Sequence, residues 1–386
     1  MTVSQNALQQ LHDAGQSIWL DYIDRKMLHD GDLERRILDD ALTGMTSNPT
    51  MFEKALVDGT DYDDQIRYSG GGITVRELFE RIATSDVRDA CDLFRPVYER
   101  TGGADGYVSI EVSPELAYES DASVAEASRL WAAVDRPNTM IKIPGTIEGL
   151  LAIRELTAAG INVNITLLFS REMHRLVIDA YMSGLEDRMA AGKPLATLRS
   201  VASFFVSRVD VEVDRLLENL ARRGSMDRDM LSSLLGRTGI ANAKLAYQLF
   251  RTEFSTPRWK GLAAHGANVQ RPLWASTGVK NSAYRDVMYV EALIGTDTVV
   301  TMPPKTLDAF RDHGVVACTV NANMSEAERA LESIERAGIS MHDVTTKLLT
   351  DGIASFEASS AALLHRLKQK AAELDVALAD VGLSHM

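Results

Sequence analysis

The sequence predicts an α/β protein built on a parallel sheet, and three observations carry that prediction. Short, β-rich apolar runs recur along the 386 residues. Nearly every run is followed by a stretch whose apolar residues return with helical spacing. The runs are continuous rather than alternating, which suits parallel strands covered on the outside by helices.

Taken in order, strands are predicted at 17–21, 43–47, 106–111, 139–143 and 161–166, then at 200–206, 271–275 and 297–302. Between them the period changes. Met173, Leu176, Val177, Ala180 and Tyr181 fall at i, i+3, i+4, i+7 and i+8, one face of a helix after the fifth strand. Val209, Val213, Leu216, Leu217 and Leu220 do the same after the sixth. Ile147, Leu150 and Leu151 open a helix that Gly160 ends. Eight strands with helical crossovers point to a (β/α)8 TIM barrel. An open doubly wound sheet has the same alternation, and strand count does not separate the two.

Two connections are long. Residues 49–103 contain helical patterns at 75–83 and 90–98, and residues 221–270 contain one near 240–250. Both read as helical additions, since structureless loops of that length are rare in compact domains. The triplet Gly70-Gly71-Gly72 reads as a hinge or loop tip. Beyond Pro303-Pro304 the pattern is helical to the end, with a capping-box match at Ser325-Glu326-Ala327-Glu328 and a final long helix over 352–374. The expected organisation is one domain over 1–386, with a barrel core at about 16–304 and C-terminal helices at 305–386. Whether residues 1–15 pack as a helix on the barrel floor is left open by the sequence.

Composition narrows the function. A chain that is 45% hydrophobic and 25% charged has enough apolar material for a substantial core. Its net charge of −13 argues against broad binding of nucleic acid or of an anionic membrane. A phosphorylated small substrate needs only one or two local cations and stays admissible. Cys91 and Cys318 offer neither metal-ligand spacing nor a disulfide framework, so a reduced, cytoplasmic compartment is expected. No run has the length of a membrane span, and residues 1–15 lack the basic start and apolar centre of a signal peptide.

The most informative residue is Lys142, an ammonium set among the apolar β-formers of Thr139-Met140-Ile141-Lys142-Ile143-Pro144. An isolated lysine there would ordinarily snorkel its charge into water. The other strand ends argue against that reading. In a barrel the catalytic groups lie at the C-terminal ends of strands. Those positions hold Asp21, Thr46-Ser47-Asn48, Glu111, Lys142, Asn164 with Thr166, Ser203 with Phe205 and Arg208, and Ser276 with Lys280. Each has a dull explanation alone, such as Asp21 capping a turn or Arg208 on a solvated helix face. Together they suit amine catalysis. A lysine attacking a ketone forms a carbinolamine that must lose water, and a carboxylate such as Glu111 can shuttle the protons, through a water held by Thr166. Asp21 can take a hydroxyl proton while the adjacent carbon–carbon bond breaks. Asn48 and Asn164 can hold sugar hydroxyls without added charge. Arg208, Lys280 and Ser276 can receive a phosphate.

These residues carry a family resemblance. Met45-Thr46-Ser47-Asn48-Pro49, Val108-Ser109-Ile110-Glu111-Val112 and Ile141-Lys142-Ile143-Pro144-Gly145-Thr146 form its first half. Ile161-Asn162-Val163-Asn164-Ile165-Thr166-Leu167-Leu168-Phe169-Ser170, Ser203-Phe204-Phe205-Val206-Ser207-Arg208 and Trp274-Ala275-Ser276-Thr277-Gly278-Val279-Lys280-Asn281 complete it. In this order the chain resembles the transaldolases, Schiff-base enzymes of the pentose phosphate pathway, in their longer bacterial type. The resemblance implies a (β/α)8 barrel that moves a dihydroxyacetone unit from sedoheptulose 7-phosphate or fructose 6-phosphate to an aldose phosphate. It implies Lys142 as the Schiff-base lysine, Glu111 and Asp21 as acid/base carboxylates, and Thr166 as holder of a catalytic water. It further implies Thr46, Asn48, Asn164, Ser203 and Phe205 as substrate contacts and Arg208, Ser276 and Lys280 as the phosphate site. No metal or organic cofactor is expected, and a monomer or homodimer is.

Two positions depart from the family pattern. Lys280 stands where many transaldolases have arginine, and Phe204 where proline is frequent. A related aldolase that uses free dihydroxyacetone is the nearest rival, but such relatives tend to carry glutamine at the position of Glu111 and tyrosine at that of Phe205. A non-catalytic sugar-phosphate sensor would keep the cations without needing the lysine. A nucleotide-binding enzyme is disfavoured, because no Walker or GxGxxG run follows a strand.

Overall fold

The structure is a computed structural model that describes residues 5–69, 72–224 and 226–379. Eight strands close into a barrel: β1 Gln16–Asp21, β2 Gly44–Thr46, β3 Tyr107–Glu111, β4 Thr139–Pro144, β5 Val163–Leu168, β6 Ser200–Phe205, β7 Gln270–Ala275 and β8 Thr298–Met302. Every neighbouring pair is parallel, and β8 closes on β1. The closed ring excludes the open doubly wound sheet.

The continuous apolar runs are explained by what each side of the sheet meets. Ile18, Val108, Ile141, Val163, Phe204, Trp274 and Val300 point outward into the layer between sheet and helices. Trp19, Tyr107, Met140, Val201, Leu273 and Val299 point inward and fill the barrel with a second cluster. Full burial of side chains like these stabilises the fold by about 1.5–3 kcal/mol each for the aliphatic ones. One inward position must be glycine. A Cβ on Gly44 would lie 2.5 Å from Nε1 of Trp19, whose indole crosses the β2 strand and donates to Asp105 at 2.9 Å.

Strand ends differ from expectation by one or two residues, and β5 differs in kind. It starts at Val163 rather than at 161 and runs on to Leu168. Its register against β6 shifts between Ile165 and Leu168, where Leu167 takes φ +59. A bulge of this kind inserts an extra residue and re-aims its neighbours. It lies at Thr166, at the barrel mouth.

The helices Ile147–Ala159, Arg171–Ala190 and Ser207–Arg222 match the periodic stretches, and Gly160 ends the first at φ +100. The two patterns expected within 75–98 are one helix, Val75–Arg100. The segment between them reads as polar, but its Asp86 is buried, bonded to Arg25 and to the Tyr62 hydroxyl. Residues 221–270 hold three helices, Arg228–Leu234, Thr238–Glu253 and Pro257–Ala264. The capping box at Ser325 does not form. That helix is Met324–Arg336, entered from Asn323 at φ +56 with no side-chain cap, so Ser325 already sits in its first turn. Asparagine tolerates this left-handed geometry, and the backbone bond from Glu326 N to Asn323 O starts the helix early. The final helix is Met341–Glu373, longer than expected at its start. Near the N-terminus, Ala7–Asp13 is a helix packed beside β1. Of the expected hinge at 70–72, only Gly72 lies within the described residues, at φ +90.

Candidate active site

At the C-terminal mouth of the barrel a cavity of about 200 Å³ is lined by Asp21, Thr46, Asn48, Lys142, Thr166 and Ser203, with Phe205, Arg208, Ser276 and Lys280 farther out. Ten of the twelve predicted site residues therefore meet around one space. Larger grooves, about 590 and 570 Å³, lie between helices on the outside, and no predicted site residue lines them. The predicted residues gather around the smaller, better enclosed volume.

Lys142 projects inward from β4 and is 5% exposed. Its Nζ lies 3.0 Å from Glu111 Oε2 and donates to the Ser47 carbonyl at 3.1 Å. Adjacent register of β3 and β4, with Glu111 opposite Lys142, brings the carboxylate to the amine. Glu111 reaches the nitrogen from the β3 side and also borders a separate small cavity of about 90 Å³ behind the rim, which Lys142 does not line. Burial pushes the Glu111 carboxyl above the usual carboxylate range, opposed by the charge of Lys142. Burial likewise raises Asp21, opposed by Lys142, by the 2.8 Å bond from the Thr46 hydroxyl, and by Lys280 and Arg208. Both acids thus hold protons more readily than exposed carboxylates do.

The polar floor is layered. Asn164 is fully buried and spends both ends of its amide on the protein, donating to Ser109 Oγ at 2.9 Å and accepting from Ser203 Oγ at 2.7 Å. It sits one layer beneath the cavity and fixes Ser203, which does line it. Asn48 divides its amide differently. Its Oδ1 caps the helix Pro49–Asp58 through Met51 N, which leaves its Nδ2 as the group able to donate to a ligand. Thr166 Oγ1 is buried without a hydrogen-bond partner among the described residues.

The outer rim is cationic. Arg208, at the start of the helix Ser207–Arg222, forms no ion pair among the described residues, and burial disfavours its charged form relative to an ordinary arginine. Its guanidinium rests over the rings of Phe205 at 5.3 Å and Phe356 at 5.8 Å. Ser276 takes φ +55, costly for a residue with a Cβ, and is held by Ser207, whose N donates to its carbonyl and whose Oγ lies 2.9 Å from its own. A half-buried guanidinium with no ion pair among the described residues, sharing a cavity with a lysine, has the chemistry to receive an anion. The Phe204 departure lies elsewhere. Its ring faces outward against Trp274 and His174, away from the mouth.

Sequence reasoning missed three contributors. Thr301 of β8 bonds the Thr46 hydroxyl at 3.0 Å and lines the cavity. The alternation of β8 could have found it, because Val299 and Thr301 share the inward side. The Ser47 carbonyl gave no side-chain signal. Phe356 comes from the C-terminal helix, distant along the chain, and nothing in its local sequence marks it.

The model of one family, transaldolase/fructose-6-phosphate aldolase, matches residues 18–367. The chain belongs to that family. Among its relatives, the transaldolase of Thermobifida fusca is 48% identical over 95% of this chain and 98% of its own. That of Saccharopolyspora erythraea is 46% identical over 96% and 99%, and that of an Arthrobacter species 48% over 92% and 95%. The enzyme is thus a transferase of the transaldolase type, a family that moves a dihydroxyacetone unit between sugar phosphates of the pentose phosphate pathway through a lysine Schiff base. No helix among the described residues is long and apolar enough to cross a membrane. No cluster of three or more His, Cys, Asp or Glu among those residues is arranged to hold a metal ion.

Proposed function

We propose that Lys142 is the amine that carries the dihydroxyacetone unit, with Glu111 and Asp21 moving the protons. The observation that supports this reading is the enclosed pair of Lys142 Nζ and Glu111 at 3.0 Å, facing a cavity with a cationic rim. In the resting pair the proton sits on the amine. Because burial raises Glu111, that proton can pass to the carboxylate as the ketone of the donor arrives. The neutral amine then bonds to the ketone carbon. The protonated Glu111 returns the proton to the carbinolamine oxygen, which leaves as water, and an iminium results. A water bound at the open Thr166 hydroxyl is the relay.

Asp21 next accepts the proton of the donor's C4 hydroxyl, the C3–C4 bond breaks, and its electrons pass into the iminium to form an enamine. The aldose phosphate departs and another takes its place. The steps run backward, and hydrolysis of the new imine returns free lysine. Asn48 and Ser203 hold hydroxyls of the dihydroxyacetone part, and Asn164 steadies Ser203. Thr46 orients Asp21, and Phe205 walls the cavity. Arg208, Ser276 and Lys280 take the phosphate. Donors in this reading are fructose 6-phosphate and sedoheptulose 7-phosphate, and acceptors are erythrose 4-phosphate and glyceraldehyde 3-phosphate.

Every named group comes from one chain, so the chemistry suits a monomer or a homodimer alike. The final helix supplies Phe356 to the rim, which supports treating 1–386 as a single catalytic unit. The cytoplasm is the compartment this reading assigns, in keeping with unbridged Cys91 and Cys318.

Transfer is separated from simple aldol cleavage by acceptor dependence. Fructose 6-phosphate alone is expected to turn over slowly, and erythrose 4-phosphate to accelerate its consumption greatly. Equal rates with and without the acceptor would assign the chain to the aldolase branch of its family.

A further inference from the structure

The two cations of the rim belong to different elements. Arg208 stands on a helix, whereas Lys280 lies in the irregular segment 276–287 after β7, whose residues 280–283 and 285–286 are exposed. That segment is fixed at its start, where Thr277 Oγ1 donates to the Thr301 carbonyl at 2.7 Å, and near its end, where Val287 is buried. Between these anchors, Arg285 and Asp286 bind His313 at the end of the helix Pro304–His313, and Tyr284 ties the segment to the helix that carries Arg208. The Tyr284 hydroxyl donates to Asp214 Oδ2 at 2.7 Å.

Asp214 lies six residues after Arg208 on the same helix, Ser207–Arg222, about 9 Å further along its axis. It is buried, and its other oxygen accepts from Gly236 N at 3.0 Å. Gly236 has φ +68, and a Cβ there would come within 2.8 Å of the Tyr284 ring, so the ring lies directly on that backbone. Tyr284 is also joined locally to the lysine's neighbour, through Tyr284 N to Asn281 O at 3.0 Å, while Asn281 Oδ1 accepts from Ala283 N at 3.0 Å. A rigid turn thus runs from Tyr284 back to Asn281, the residue next to Lys280.

We propose that Tyr284, through its bond to Asp214, is a positioning residue for the phosphate of the substrate, holding Lys280 at a fixed distance from Arg208. This rests on the phosphate site proposed above. A lysine is a point charge on a flexible stem and lacks the fork that would orient it alone. Its backbone must therefore be set by its surroundings, and the Tyr284–Asp214 bond sets it against the element that carries the other cation. Tyr284 touches neither the reacting carbons nor Lys142, so its removal acts on binding of the phosphate and not on the chemistry.

The test is Tyr284→Phe, which deletes one oxygen and keeps the ring on Gly236. The expected result is a rise of about tenfold in KM for fructose 6-phosphate and in the competitive inhibition constant of inorganic phosphate, with kcat within about twofold. With fructose as donor, which lacks the phosphate, kcat/KM is expected to be unchanged. In the background of Lys280→Ala, Tyr284→Phe is expected to add nothing further, because both changes act through one cation. Asp214→Asn, which keeps an acceptor for the hydroxyl, is expected to fall between wild type and Tyr284→Phe. Equal losses with fructose and fructose 6-phosphate, or full additivity with Lys280→Ala, would overturn the inference and leave the phosphate site standing. Lys280→Ala with an unchanged phosphate inhibition constant would instead overturn the phosphate site, and this inference with it.

Discussion

Glu111 and Lys142 form a buried ion pair whose two members depend on each other. Removing one partner of such a pair leaves the other charge uncompensated, which is expensive. In the proposed mechanism that tension is used, since passing a proton between them neutralises both and frees the amine for attack. Glu111→Gln keeps the shape but cannot take the proton. It is expected to slow imine formation by about two to four orders of magnitude, read by single-turnover kinetics with fructose 6-phosphate. A change in KM with an unaltered rate of imine formation would make Glu111 a binding residue. The residues of this centre were legible in the sequence because inward strand positions that carry polar groups stand out in apolar runs. The depth of each was not. Asn164 reads as a sugar contact in the sequence, whereas in the structure it does not line the cavity and bonds Ser109 and Ser203 across neighbouring strands, a fact of register that no single run contains.

At the scale of elements, the strands were readable because a parallel barrel strand is apolar on both sides. Their ends were less so, and β5 shows why. Its bulge between Ile165 and Leu168 depends on how it meets β6, and its left-handed residue is a leucine, which carries no sequence warning. The helix Val75–Arg100 was read as two patterns because buried Asp86 looks like a polar break until Arg25 and Tyr62 are seen beside it. The helix Met341–Glu373 is the least legible contributor. It passes over the mouth, puts Gly352 against Leu167 and Arg208, and lays Phe356 beside the guanidinium. Phe356→Ala removes one of two rings under Arg208, and a cation–π contact of this kind is worth about 0.5–2 kcal/mol. The expected outcome is a rise of about two- to thirtyfold in KM for fructose 6-phosphate with kcat little changed, measured by steady-state assay. An unaltered KM would mean that the helix merely covers the barrel.

The whole molecule carries a titratable group in its shell that the reaction does not use. His174 is fully buried against Phe204 at 5.8 Å, and neither ring nitrogen has a partner among the described residues. Burial pushes it down from 6.5 to about 4. Between those values the unfolded chain binds a proton that the folded chain refuses. The stability from His174 is therefore full above about pH 6.5 and is lost as pH falls toward 4, by up to about 3 kcal/mol. Asp210, pushed up to about 7 by burial, acts in the opposite sense, so the contrast must be drawn between variants. Urea unfolding from pH 7.5 to 4.5 is expected to show wild type losing more stability than His174→Leu over that range. Parallel curves would mean that His174 gains a proton while folded.

At every scale the account returns to one covalent bond. Wild-type enzyme incubated with fructose 6-phosphate and sodium borohydride, then digested and analysed by mass spectrometry, tests it directly. The account predicts a reduced three-carbon adduct on the peptide containing Lys142, formed only when donor is present, with loss of activity in step. No adduct, or an adduct confined to another lysine such as Lys280, would contradict it.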